Sequence, residues 1–208
     1  MAAISPLLVE CPEKRPDWGI EIARRAELPL TIAAKVDKVD RSYYKARIKP
    51  LLRNPLIEFI GEIGDSNKAA FLGNATALLF PIDWPEPFGL VLIEAMAHGT
   101  PGIAFGRGSV PEIIDHGITG FIVDSIDEAA AAIPLAKALD RGAIRRPFRG
   151  AFLGGPYGAR LCRAIRRSLG PQAIRAWRPS REKDPPRAAS LWRCACYLLV
   201  NACDPEIV

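Results

Sequence analysis

The chain has 208 residues and 49% of them are apolar, which is enough for a buried core of ordinary size. It contains neither a run of about 20 apolar residues nor a leader-like segment, so we expect no transmembrane span and no secretory signal. The five cysteines lack the spacing of zinc sites or disulfide frameworks, which favours a cytoplasmic location.

The net charge of +5 is divided unevenly along the chain. Residues 1–140 contain 14 basic and 19 acidic residues, whereas residues 141–208 contain 14 basic and 4 acidic residues. The composition therefore predicts a domain over residues 1–140 and a basic tail over residues 141–208. Weak helical periodicity and frequent Gly and Pro breaks predict that this tail is irregular and poorly structured.

The basic tail could be an arm that binds nucleic acid or an acidic membrane, since both partners require positive charge. Its aromatic residues are not interleaved at regular spacing, so we expect no nucleic-acid partner, while peripheral membrane contact stays open. The competing hypothesis is that the tail and residues 1–11 are out-of-frame or otherwise foreign sequence. Enrichment in Arg, Pro, Gly, Ala, Trp and Cys is typical of a GC-rich coding sequence translated in another frame.

Residues 17–140 alternate between short apolar runs and helical patterns that Gly and Pro separate. Asp17 is predicted as the N-cap of the first helix and Asp65 as the N-cap of the third. Strands alternating with helices predict βαβ units, and therefore an α/β fold with a parallel sheet. The predicted strands cover residues 30–36, 56–60, 77–80, 103–105 and 119–123, and the predicted helices cover residues 18–28, 40–52, 65–74, 89–97, 109–115 and 127–139.

Two carboxylates interrupt the apolar stretch of residues 80–105. Glu86 lies in a Pro-rich loop after a predicted strand, and Glu94 lies in the helix that follows. The first amides of that helix form a natural anion site, because they point outward and the helix dipole favours negative charge. A phosphate there, with Glu94 accepting hydroxyl hydrogens one turn along, describes a nucleoside diphosphate with its ribose. The alternative is a glutamate that caps a neighbouring loop. The first amides of the helix, which would bind the phosphate, are those of Phe88, Gly89 and Leu90.

The chain from Glu86 to Asp124 reads EPFGLVLIEAMAHGTPGIAFGRGSVPEIIDHGITGFIVD. This stretch resembles the donor-binding region of the retaining GT-B glycosyltransferases of family four. The hallmark of that region is a Glu, seven residues and a second Glu, which Glu86 and Glu94 match. The resemblance covers roughly residues 12–140, so we expect a Rossmann-like domain, the C-terminal half of a truncated GT-B fold. Further matched positions are Gly106, Pro111, Glu112, Gly117 and Gly120.

The resemblance implies a role for each matched residue. Glu86 would lie beside the donor sugar as a catalytic residue, and Glu94 would bind the ribose. Lys14 would stabilise the leaving diphosphate, although a solvated loop lysine is the alternative there. The backbone amides that would bind the diphosphate with it are those of Phe88, Gly89 and Leu90.

The cationic part of the expected site is incomplete. Family members carry a Gly-Arg pair that supplies a second cation, and its positions fall on Leu8 and Val9, which carry no charge. The sequence has no DxD-type motif, so we expect no metal. No cofactor is expected either, because the nucleoside-diphosphate sugar is the donor substrate.

The resemblance implies a glycosyltransferase that moves a hexosyl group from a nucleoside-diphosphate sugar with retention of configuration. The chain would supply the donor-binding half of that enzyme and would be inactive alone. The alternative function is a non-catalytic nucleotide-sugar binding or interaction module. In either case a separate N-terminal GT-B domain is the expected protein partner.

Overall fold

Five short parallel strands form the centre of the fold. The computed structural model describes residues 14–87 and 89–151 of the chain. In this part, β1 (Leu30–Ala33) pairs with β2 (Ile57–Gly61), and β4 (Gly102–Phe105) lies between β3 (Leu78–Phe80) and β5 (Gly120–Val123). Every pairing is parallel. All residues of β3 and β4 are buried, as parallel strands covered on both faces require. The predicted α/β fold with parallel pairing is confirmed.

Helices connect these strands in the order that the sequence predicts. The helices are α1 (Pro16–Ala26), α2 (Arg41–Tyr43), α3 (Asp65–Asn74), α4 (Leu90–Ala97), α5 (Val110–Ile113), α6 (Ile126–Lys137) and α7 (Arg141–Ala151). The predicted N-cap residues were wrong for two of them. The N-cap of α1 is Arg15, and Asp17 lies in the first helical turn because Pro16 takes the favoured first position. The N-cap of α3 is Gly64.

The single helix predicted over residues 40–52 is also wrong. After α2 the chain widens into a π-helical turn at Tyr44–Ile48 and then tightens into a 3₁₀ turn at Leu51–Arg53. Pro50 explains the break, because it has no amide hydrogen and its ring would collide with the carbonyl four residues earlier.

One hydrophobic core joins the two strand ladders. It includes Leu30 and Ile57 from the first ladder and Leu79 and Ile103 from the second, all at most 7% exposed. Trp18 of α1 covers the end of β4, with its ring centroid 5.1 Å from that of Phe105. The helices on this core are α1 and α6, whose apolar faces supply Ile20, Ile22, Ala23, Ala129, Ala132, Ile133 and Ala136.

The start of α7 is attached to the end of α3. The Arg141 guanidinium donates to the carbonyls of Gly73 at 2.7 Å and Ala75 at 2.8 Å, and to the Thr100 hydroxyl at 2.7 Å. It therefore caps carbonyls that the helix leaves unpaired. Burial, together with the charge of Arg145, lowers the pKa of Arg141.

The chain divides into a compact unit that ends at Arg145 and a second unit that begins at Arg146. The boundary that the composition predicts at residue 140, between a domain and a basic tail, stays a prediction. Residues 1–13 and 152–208, which include most of the predicted basic tail, lie outside the described residues. Within the part that is described, no helix combines the length and apolar character needed to cross a membrane.

Candidate functional site

Two loops bring Lys14 and Glu86 together. Lys14 directly precedes the entry into α1, and Glu86 lies in the loop that follows β3. The ammonium nitrogen of Lys14 is 3.9 Å from Glu86 Oε2, and the side chains of Lys14 and Glu86 are 18% and 11% exposed. The residues are 72 positions apart in the sequence, so this meeting depends on the fold. The structure thus places two of the predicted site residues in one ion pair.

The N-terminus of α4 lies at the same place. The amide of Gly89 donates to Glu86 Oε1 at 3.3 Å, and Leu90 is the first residue of the helix. We expected the Gly89 amide to be free for an anion, and the structure differs because the Glu86 carboxylate already occupies it. A carboxylate at this position also interacts favourably with the helix dipole. Phe88, the third predicted amide donor, lies outside the described residues.

A second loop supports the backbone of Glu86 from the end of β4. The Ser109 amide donates to the Glu86 carbonyl at 2.8 Å. Gly108 has a φ of 57°, and a Cβ at this position would overlap the backbone nitrogen and oxygen of Glu86. Gly108 is therefore needed both for its backbone conformation and for the close approach. The sequence pattern marked this region without indicating that contact.

Glu94, the predicted ribose ligand, is paired with a residue that the sequence did not indicate. Lys68 of α3 places its ammonium nitrogen 2.5 Å from Glu94 Oε2. The side chain of Glu94 is 36% exposed, so it is less buried than the apolar sequence around it suggested. No local pattern points to Lys68, because it lies 26 residues earlier on another helix.

A further polar cluster lies beside Lys14. Arg15 donates to both carboxylate oxygens of Asp17, at 3.0 and 2.8 Å, and forms an ion pair of 3.3 Å with Asp83. Its guanidinium carbon lies 3.9 Å from the centre of the Trp18 ring, which is a cation–π arrangement. The hydrogen bond to Asp17 raises the pKa of Arg15. The sequence did not single out Arg15.

Asp17 connects this cluster to the end of α2, where the π-helical turn begins. The Tyr43 hydroxyl donates to Asp17 Oδ1 at 3.3 Å. Burial would raise the pKa of Asp17, but its hydrogen bond to Arg15 and the charge of Arg15 outweigh burial and lower it. For Tyr43, burial and the negative charge of Asp17 act in the same direction and raise the pKa to about 12.

The described residues contain no group of three or more His, Cys, Asp or Glu side chains that could hold a metal ion. What the arrangement offers instead is a cation, a carboxylate and a helix N-terminus around one point. A cation and a helix N-terminus together are suited to a phosphate group.

The sequence profile of a family described as glycosyl transferases group 1 matches residues 12–149. The chain belongs to the group 1 glycosyl transferases. This finding confirms the family resemblance that Glu86 and Glu94 indicated. The match ends beyond residue 140, where the predicted resemblance stopped.

Two curated group 1 glycosyl transferase relatives share part of this sequence. The chain is 35% identical to phosphatidyl-myo-inositol mannosyltransferase of Mycobacterium leprae over 92 residues, which are 44% of this chain and 25% of that protein. It is 38% identical to D-inositol 3-phosphate glycosyltransferase of Streptomyces scabiei over 85 residues, 41% of this chain and 19% of that protein. The matched stretch is therefore at most a quarter of the length of these relatives.

Solved structures show the same fold. The C-terminal domain of LpcC, a group 1 family glycosyl transferase from Francisella tularensis, has a TM-score of 0.58 at 21% identity and covers 70% of this chain and 83% of that domain. Anabaena HepE, solved with UDP and glucose, has a TM-score of 0.53 at 19% identity, and the match covers 73% of this chain and 48% of the HepE chain. These likenesses confirm the GT-B type of Rossmann-like domain.

Proposed function

We propose that this chain binds the nucleoside-diphosphate sugar in a retaining hexosyl transfer, as the donor half of a GT-B glycosyltransferase. The observation that carries the proposal is the meeting of Lys14, Glu86 and the α4 N-terminus, with 3.9 Å and 3.3 Å between the polar atoms. The two curated relatives, a mannosyltransferase and a glycosyltransferase, support the reaction class. UDP and glucose in HepE support the donor class.

Lys14 and the α4 N-terminus would stabilise the departing diphosphate. As the bond between the anomeric carbon and the phosphate oxygen breaks, negative charge grows on the diphosphate. In the proposed complex the Lys14 ammonium group and the dipole of α4 would face that charge, and such preorganised stabilisation is usually the largest catalytic contribution. The amides that serve this role are those of Phe88 and Leu90, with Gly89 joining once Glu86 turns toward the sugar.

Glu86 would contact the donor sugar as the catalytic residue of this half. Its backbone is fixed by the Ser109 amide and by the close approach of Gly108, so its carboxylate has a defined place at the helix end. Lys14 and the Gly89 amide hold that carboxylate in one orientation before a donor arrives. We assign Glu86 to the sugar and not to a covalent intermediate.

Glu94 would accept hydrogen bonds from the ribose hydroxyls. It lies on α4 about one turn after the first helical residue, and Lys68 supplies a counter-charge at 2.5 Å. A carboxylate whose charge is already balanced loses less on desolvation when a nucleotide covers it. The exposed third of its side chain gives a hydroxyl group access.

Calorimetric titration of the 208-residue chain with UDP, GDP and ADP tests the proposal. We expect one of these nucleotides to bind, and Glu94→Gln to weaken its binding by about tenfold or more, because a hydrogen bond to a charged acceptor contributes about 1.5–3 kcal/mol. Glu58→Gln is the matched control. It makes the same change at an exposed glutamate of β2 and should leave the affinity unchanged.

Two results would contradict the proposal. One is a folded chain that binds none of the three nucleotides. The other is a nucleotide that binds the Glu94→Gln variant as tightly as it binds the unaltered chain. Thermal unfolding of each variant, measured in parallel, shows that a loss of binding is not a loss of folding.

We further propose that sugar transfer needs a separate N-terminal GT-B domain, which would bring the acceptor to the donor. A transfer assay with this chain alone and with such a domain added separates a working donor half from a non-catalytic binding module. A cytoplasmic location also stays a proposal, based on the cysteine pattern.

A further inference from the structure

We propose that Arg15 is a positioning residue, which holds Lys14 against Glu86 by tying the loop of one to the loop of the other through Asp83. The consequence for diphosphate binding rests on the proposed function, whereas the effect on Lys14 does not. The sequence and the family resemblance assign no role to Arg15 or Asp83.

Arg15 is locked into one place by its neighbours in α1. Its guanidinium bonds both oxygens of Asp17 and lies over the Trp18 ring. Trp18 in turn packs on Phe105 at the end of β4, so the guanidinium is held in a fixed position relative to the buried sheet. A planar group held by a two-point hydrogen bond and a stacked ring has little rotational freedom left.

The contact with Asp83 then connects this fixed group to the other loop. Asp83 precedes Glu86 by three residues, in a segment that contains Pro81, Pro85 and Pro87. Each proline fixes a φ angle, and the Glu86 amide is further bonded to the Trp84 carbonyl at 2.9 Å. The segment is therefore stiff, and a restraint on Asp83 acts on the position of Glu86.

The backbone conformation of Arg15 is unusual for a residue other than glycine. Arg15 has a φ of 45°, in the left-handed region that favours glycine. An exposed ion pair such as Arg15–Asp83 adds little to folding stability. The two-point pair with Asp17 offsets the strain and holds the side chain on α1, which leaves the Asp83 contact to position the adjacent residue, Lys14.

The chemical reactivity of Lys14 tests the inference without any ligand. We would trace-label the 208-residue chain with acetic anhydride and measure the acetylation rate of each lysine by mass spectrometry. The variants are Arg15→Gly, which removes the side chain and suits the left-handed backbone, and Asp83→Asn, which removes the charge of the partner. Released from Glu86, Lys14 should react several-fold faster in both variants. It should approach Lys35, whose side chain is 60% exposed.

Matched controls separate positioning from general loosening. Arg24→Gln removes another two-point arginine–carboxylate pair of α1, the pair with Glu21, and should leave the Lys14 rate unchanged. The rate of Lys68 should stay constant in every variant because its partner Glu94 is on α4. Arg15→Lys keeps the charge without the planar fork and should lie between the unaltered chain and Arg15→Gly.

Nucleotide titration of the same variants measures the consequence for binding. For whichever of UDP, GDP and ADP binds the unaltered chain, we expect Arg15→Gly and Asp83→Asn to weaken the affinity by about tenfold, as the loss of one well-placed charged hydrogen bond would. The matching nucleoside, which has no phosphate, should bind all variants equally.

Unchanged Lys14 labelling in Arg15→Gly and Asp83→Asn would overturn the inference, whatever the nucleotides do. Faster labelling of Lys68 together with Lys14 would also overturn it, because it would show general loosening. Faster labelling of Lys14 alone, in a chain that binds no nucleotide, would retain the positioning of Lys14 and reject the proposed function.

Discussion

The Glu86 carboxylate shows how far local sequence can predict a site. The helix N-terminus at Gly89 could be predicted from the sequence, whereas its hydrogen bond to Glu86 could not, because we expected that amide to be free for an anion. The pairing of Glu94 with Lys68 could not be predicted either, because it depends on how α3 packs beside α4. The same holds for Arg15 and Asp83, which are 68 residues apart.

Tyr43 gives a pH-dependent prediction at the scale of one residue. Burial and the nearby charge of Asp17 raise its pKa from 10.0 to about 12 in the folded chain. Because the unfolded chain loses this phenol proton near pH 10 and the folded chain near pH 12, the contribution of the buried, protonated Tyr43 to folding stability is fully present below pH 10. That contribution is lost as the pH rises from 10 to 12. We therefore expect the melting temperature to fall over this range by less in Tyr43→Phe than in the unaltered chain.

The control for this prediction is Asp17→Asn. Removing the charge should lower the pKa of Tyr43, so that its phenol ionises earlier in an ultraviolet absorbance titration. If Tyr43→Phe and the unaltered chain lose stability in parallel between pH 10 and 12, the burial of Tyr43 has no effect on its titration.

At the scale of elements, short apolar runs bounded by Gly or Pro predicted all five strands to within a few residues. For β3 and β4 the prediction worked because strands buried on both faces have no polar positions that could obscure them. The prediction of one helix over residues 40–52 was wrong because the apolar periodicity continues past Pro50, whereas the helical hydrogen bonding of the backbone cannot continue there. Periodicity reports which face is buried, and proline decides whether the helix continues.

Two glycines allow a matched test of strand packing. Gly102 and Gly120 are register partners in β4 and β5, and a Cβ at Gly120 would overlap the backbone oxygen of Gly102. We expect Gly120→Ala to destabilise the fold by about 3 kcal/mol, since an atom forced into a packed interior shifts its neighbours. Thermal or chemical unfolding measures the change.

Gly73→Ala is the control for that substitution. Gly73 lies in α3, and a Cβ there would come no closer than 3.9 Å to His98. Alanine is the better helix former, so this variant should be unchanged or up to about 1 kcal/mol more stable. Equal effects of the two substitutions would show that the contact between β4 and β5 is looser than described.

At the scale of the whole molecule, the Arg141 contacts concern where the folded part ends. Arg141 was predicted as the first residue of the irregular tail, yet its guanidinium bonds the end of α3 and the Thr100 hydroxyl. We expect Arg141→Met to lower the free energy of unfolding by about 2–3 kcal/mol, because partly buried carbonyls lose a charged donor.

Arg53→Met makes the same substitution at an exposed arginine and should change stability by less than about 0.5 kcal/mol. If both substitutions leave the free energy of unfolding unchanged, the folded part of the chain ends before residue 141. The foreign origin proposed for residues 1–11 and 141–208 stays a hypothesis, and the family match covers residues 12–149.

The left-handed backbone of Arg15 has a consequence for how this chain can evolve. A glycine there would relieve a strain of about 1 kcal/mol, but it would also leave the partly buried Asp17 carboxylate without its two-point hydrogen bonds and its counter-charge. A laboratory selection for thermal resistance should therefore accept Arg15→Gly only when Asp17 is replaced as well, whereas a selection for nucleotide capture should reject Arg15→Gly in either background. Joint replacement of Arg15 and Asp17 in a lineage would then be the sign that the donor site is no longer in use.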